Sequence, residues 1–147
     1  MDSSFNVIKL ATFSAIIVIL RRCAMIPDIL MAIASSNVCA ATAIGNNALL
    51  NATGNANTAV GSGAADAITT GTGIVAVGYA ALSVSDDGTN NTAVGYASLL
   101  SFISASYNTA IGRGALHYNY NGDSSTAVGY YAGGYTTGSY NTFVGSE

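Results

Sequence analysis

The chain reads as all-β: a parallel β-solenoid or β-roll of about six to seven 17-residue turns behind a short hydrophobic N-terminal segment, helical or signal in character. Three observations predict this. A phrase of the form N-T-A-[V/I]-G recurs seven times at a nearly fixed interval. Its β-branched residues stand two apart, which is the period of a strand and not of a helix. Glycine recurs at several positions per repeat, where a helix would be weakened at each one.

Taken in order, the chain divides near residue 40. All 17 glycines lie at or after Gly45 and all nine tyrosines at or after Tyr79, whereas the only proline, both cysteines and every methionine precede residue 41. Residues 1–40 are therefore a signal peptide or a hydrophobic N-terminal segment, and residues 41–147 the repeat domain. The segment holds "ATFSAIIVIL" (11–20), then Arg21 and Arg22, then "CAMIPDILMAIA" (23–34). Neither apolar run reaches the ~20 residues that span a bilayer as a helix, so no transmembrane span is expected in the mature chain. Small residues at Val38 and Ala40 suit cleavage after Ala40. The arginines follow the better apolar run instead of preceding it, so three readings stand: an export signal with a long n-region, a retained helix or helical hairpin that anchors or packs, and a translation start further downstream. Cys23 and Cys39 leave with a signal peptide, or stay as small apolar side chains, since no histidine or third cysteine lies near them.

The phrases close at Gly45, Gly61, Gly78, Gly95, Gly112, Gly129 and Gly145, at intervals of 16, 17, 17, 17, 17 and 16. Each phrase predicts a short strand. Thr58 and Val60 share one side, as do Thr92 and Val94, Thr109 and Ile111, and Thr126 and Val128. Val is expected to point inward, and Thr with it. The closing glycine ends the strand where a positive φ or close backbone approach is needed. A second short strand or tight arc should follow, through Tyr79 and Ala81 to Leu82 and through Tyr96 and Ser98 to Leu99. A second column, Gly54, Gly71, Gly88, Ala105, Gly122 and Gly138, stands seven residues before the next closing glycine and carries turn chemistry. The one-residue slips fall between Gly45 and Gly54 and between Gly129 and Gly138, so only that part of the unit tolerates a change of length.

Stacking such turns at roughly 4.8 Å each gives a rod on the order of 30 Å long. The expected core is thin, one Val or Ile, one Ala and one Leu per turn, which favours an oligomer. Asn57, Asn91, Asn108 and Asn141 should lie above one another, with Ser125, Ala41 and Ile74 as exceptions, and stacked amides can hydrogen-bond along the axis. Tyr79 and Tyr96 form a second column that Arg113 interrupts before Tyr130.

The phrase "NTAVGYASLL" (91–100) resembles the N-T-A-[V/I]-G-x-x-A-L repeats of phage tail-fibre and bacterial surface proteins. It is also similar to the S-V-A-I-G motif of trimeric autotransporter adhesin heads. That resemblance spans residues 41–147 and implies trimers of left-handed parallel β-rolls. The 17-residue period is longer than the usual adhesin-head repeat, and no coiled-coil stalk or membrane-anchor barrel follows "NTFVGSE".

Chemistry is sparse. From residue 41 onward Arg113 is the only basic side chain, against Asp66, Asp86, Asp87, Asp123 and Glu147, which argues against nucleic acid. His117 is the only histidine, and a Ser-His-Asp arrangement would have to join it to Asp123 across a spacing that proves nothing. "SDDGTNN" (85–91) has oxygen ligands but not the spacing of a calcium loop. "GTGIVAVG" (71–78) lacks the strand-before, helix-after setting of a dinucleotide site. Asn51 and Asn90 head glycosylation sequons. The expectation is therefore no enzyme, no cofactor and no metal. The leading class is a structural or adhesive fibre module, secreted or on a cell or virion surface. Its partners are copies of itself, with a trimer favoured over a filament, and a host-surface or glycan receptor. An open-ended extracellular filament is the alternative. An ice- or ligand-binding solenoid ranks third, because it needs outward threonines.

Overall fold

Each phrase forms a strand of three residues, because the arc that follows must begin at its glycine. The strands of this computed structural model, which describes residues 41–84, 87–101 and 104–147, are β1 (Thr42–Ile44), β2 (Thr58–Val60), β3 (Val75–Val77), β4 (Thr92–Val94), β5 (Thr109–Ile111), β6 (Thr126–Val128) and β7 (Thr142–Val144). They make one parallel sheet in chain order, β1 to β7, with every phrase in register with the next: Ala59 beside Ala76, Ala93 beside Ala110. The chain is thus an all-β parallel solenoid of about six turns, with no helix among the described residues. The two 16-residue turns are absorbed outside the sheet, since β1–β2 and β6–β7 keep the same register as the rest. The N-terminal segment, 1–40, lies outside the described residues.

At the closing glycine the backbone turns the corner. Gly78 has φ +130°, and a Cβ built there would stand 2.5 Å from the carbonyl oxygen of Gly95, one turn on. Neither the angle nor the space admits a side chain. The expected second strand is instead an arc in which every other residue has a positive φ: Ala80 at 50° and Leu82 at 56°. The N–H groups of the two positive-φ residues go to opposite neighbours, while Ala81 N–H between them stays within the turn, donating to Gly78 O at 3.4 Å. Ala80 N–H donates back to Ser62 O (3.0 Å) and Leu82 N–H forward to Ser98 O (2.9 Å). Among the described residues, regular pairing reappears as the parallel bridge between Val84 and Ser101. The second glycine column is needed for space: a Cβ on Gly71 would lie 2.7 Å from the Gly88 carbonyl oxygen.

The phase of the strands is opposite to the expected one. Ala59, Ala76, Ala93, Ala110 and Ala127 point inward at 0% exposure, and the Thr and Val or Ile on either side face out. The reason is width. The leucines of the arc, Leu49, Leu82, Leu99 and Leu116, are buried against the sheet from the far side, leaving room at the strand centre for a methyl group alone. The core is therefore Ala from the strand, a second small residue such as Ala81 or Ser98, and Leu from the arc. In the last turn the sizes are exchanged. Gly133 stands where all earlier turns but one, which has Ala65, place leucine, and Phe143 stands where they place alanine. A Cβ on Gly133 would lie 2.5 Å from the Phe143 ring, so the ring occupies the space that the missing leucine leaves.

Candidate functional site

Two long outward surfaces and one buried column bear on function. The buried column is that of the asparagines. Asn57, Asn91 and Asn108 share the inward side with the strand alanines and are almost wholly buried. They do not stack amide on amide. Each side-chain oxygen accepts from the backbone one turn further on: Ile74 N–H to Asn57 Oδ1 (3.0 Å), Asn108 N–H to Asn91 Oδ1 (2.9 Å) and Ser125 N–H to Asn108 Oδ1 (2.8 Å). Ser125 continues the relay, accepting from Asn141 N–H at 3.2 Å. Three of the amide nitrogens serve the turn: Asn57 Nδ2 donates to Gly71 O (2.8 Å), Asn91 Nδ2 to Ala105 O (3.0 Å) and Asn141 Nδ2 to Gly138 O (2.7 Å), whereas Asn108 Nδ2 is buried without a partner. This column satisfies buried backbone groups and offers nothing to a ligand.

The first outward surface is the sheet itself. Its two columns run Thr42, Thr58, Val75, Thr92, Thr109, Thr126, Thr142 and Ile44, Val60, Val77, Val94, Ile111, Val128, Val144. No charged residue interrupts either column, and Ile111 (42%) and Val128 (38%) stand well clear of the surface. The result is a ruled strip of methyl and hydroxyl groups along the rod. The threonines face solvent, which removes the objection raised against an ice-binding surface.

The second surface carries the chemistry that varies between turns. Tyr79 and Tyr96 stack, with centroids 5.3 Å apart and planes within 16°. Arg113 continues that column instead of interrupting it, its guanidinium carbon 5.2 Å from the Tyr96 centroid and 5.9 Å from that of Tyr130. Further round the coil Tyr118, Tyr120, Tyr135 and Thr137 line an open cavity of about 340 Å³. Tyr118 stacks on Tyr135 at 5.2 Å and leans toward Tyr120 at 6.2 Å.

The remaining residues singled out in the sequence do not converge. His117 is buried, its Nδ1 is 3.0 Å from the Ala97 carbonyl oxygen, and its ring meets Tyr118 edge-on at 4.4 Å. Asp123 accepts from Ser106 N–H at 2.7 Å, so each group has a partner other than the one a triad would need. Asp87 accepts from Thr69 and Thr70 of the preceding turn, a tie between turns, while Asp86 of the same loop lies outside the described residues. Among the described residues no three His, Cys, Asp or Glu side chains gather as a metal would require, and no helix is long and apolar enough to cross a membrane. Asn51 and Asn90 are both exposed, with Asn51 Nδ2 donating to Asp66 O at 2.8 Å. In comparison with known proteins, the chain matches no family model, no curated protein and no solved structure.

Proposed function

We propose that this chain is a structural and adhesive module of a surface fibre, secreted or carried on a cell or virion surface, in which copies join side by side through the Thr-Ala-Val face, three to a rod. The supporting observation is that face: seven aligned triplets with β-branched side chains outward, no charge among them and no covering strand or helix among the described residues. Isolated rods gain by burying such a strip, because its Val/Ile column and the threonine methyl groups form a continuous exposed row, and contiguous exposed apolar surface marks an interaction site. The thin alanine-rich core points the same way, since small domains with little buried area commonly draw stability from association. The resemblance of the phrase to adhesin-head and tail-fibre repeats supports three copies. The variable surface, left outside the rod, is where adhesion would be read.

The test is the double substitution Val77→Glu with Val94→Glu, which puts two carboxylates in the middle of the strip and leaves the inward alanines untouched. Wild-type chain should elute as an assembly and the variant as a monomer with an unchanged far-ultraviolet dichroism spectrum. Equal elution of the two at the assembled size would contradict this use of the face.

A second reading has its own observation. Six threonines, broken only by Val75, form an outward column at one residue per turn, roughly 4.8 Å apart. Ordered water is held by such regular hydroxyl and methyl arrays, so a monomeric rod with this face free would bind ice. Thermal hysteresis that the same double substitution abolishes would carry that reading.

A further inference from the structure

We propose that the groove lined by Tyr118, Tyr120, Tyr135 and Thr137 is a binding site for a neutral oligosaccharide, recognised through its pyranose rings. This rests on the adhesive part of the reading above and supplies its location. The first argument is departure from the repeat. Tyr118 and Tyr120 stand six and eight residues after a closing glycine, and Tyr135 and Thr137 stand at the same places one turn on. In earlier turns the sequence has Asn51 and Thr53, Ala67 and Thr69, Val84 and Asp86, and Ser101 and Ile103 at these two places. Stacking of turns therefore makes no demand for aromatic rings here. Their outward placement, with Tyr120 43% and Tyr135 70% exposed, adds nothing to the core.

The second argument is chemical fit. A pyranose has an apolar C–H face and a rim of hydroxyls, and so needs an aromatic plane flanked by uncharged hydrogen-bonding groups. The groove supplies three ring systems, three phenol hydroxyls and the Thr137 hydroxyl, and no charged side chain lines it. An acidic sugar, a phosphate or a peptide rich in charge would find no counter-charge there. The volume, about 340 Å³, and the open mouth suit a segment of a chain passing over the surface rather than a small molecule enclosed by it.

The third argument is rigidity. Tyr118 is held from two sides, stacked on Tyr135 and edge-on against buried His117, which is itself 5.8 Å from the Tyr131 ring. Its backbone N–H donates to Gly134 O at 2.8 Å. A platform already ordered in the free protein loses little conformational freedom when a sugar settles on it.

The experiment is saturation-transfer difference NMR on the full chain, irradiating the tyrosine ring resonances. The probes are cellohexaose, maltohexaose, mannohexaose and hexa-N-acetylchitohexaose, with hexagalacturonic acid as the charged comparison. At least one neutral hexamer should receive saturation on its ring protons. Tyr120→Ala and Tyr135→Ala should each weaken its binding about tenfold or more. The proposal is overturned if no neutral hexamer receives saturation, if the two groove variants bind like wild type, or if hexagalacturonic acid binds equally well. It is also overturned if Tyr120→Ala and Tyr135→Ala alter the mass of the assembly, which would make the groove a contact between copies. Failure of sugar binding with the assembly intact leaves the fibre reading in place, and a monomer that binds sugar through these rings leaves the groove in place without the fibre.

Discussion

At the scale of single residues the asparagine column shows how a coil this narrow keeps its backbone satisfied. Asn91 holds two otherwise solitary buried groups, the Asn108 N–H and the Ala105 carbonyl. Asn91→Ala strands both, and should lower the unfolding free energy by about 2–4 kcal/mol in chemical denaturation. Asp66 is a different case. Its Oδ1 is buried without a hydrogen-bond partner, and desolvation by burial raises its pKa above the usual 3.8, against the lowering effect of backbone hydrogen bonds from Asp66 and Ala67. A carboxyl group whose pKa is higher in the folded state favours folding while protonated. That contribution is complete below pH 3.8 and is lost as the pH rises through the folded-state value. Asp66→Asn removes the penalty of the buried charge. Its melting temperature should exceed that of wild type at pH 7, and the difference should close as the pH falls toward 3.8.

At the scale of the element, the strand shows what could and could not be read from sequence. The seven phrases, their period and their two glycine columns were legible, because each reflects a backbone requirement that one residue type meets: no Cβ fits at Gly78 or Gly71. The direction of the strand was not, since period-two alternation separates two faces without saying which is packed. A signal was nevertheless present. Ala59 and Gly61 lie on one side, and their two positions stay alanine and glycine in every copy but the last, where Phe143 replaces alanine, whereas Thr gives way to Val75 and Val to Ile44 and Ile111 on the other. Constant size marks the side that meets a wall. The arc was missed as an arc because leucine at a positive φ, as in Leu99 at 47°, has no local signature; burial in the core holds it there. The tyrosine groove was missed because Tyr118 and Tyr135 meet only once the turns are stacked. The phase has a direct test in adjacent substitutions. Ala93→Val overfills the core and should cost about 1–3 kcal/mol. Thr92→Val, which copies the outward residue of β3, should change stability by less than about 0.5 kcal/mol.

At the scale of the whole molecule, one flank of the rod is uniform and the other varies. A uniform flank with paired methyl and hydroxyl columns suits contact with copies of itself, because the same surface is offered at every turn. A variable flank, with the Tyr–Arg column and the tyrosine groove, suits recognition of something else. The division explains why composition alone said little about function: the residues that set the two flanks apart are few, and most of the chain is spent on the coil. The central claim is that the Thr-Ala-Val flank is covered by other copies of the chain. The most direct measurement is the mass of the full chain in solution by sedimentation equilibrium over a range of concentrations. A single species of three times the 14.7 kDa chain mass is the predicted result. A 14.7 kDa monomer at every concentration would contradict it and leave the threonine face free for ice, and polymers without a defined size would contradict it in favour of end-to-end assembly.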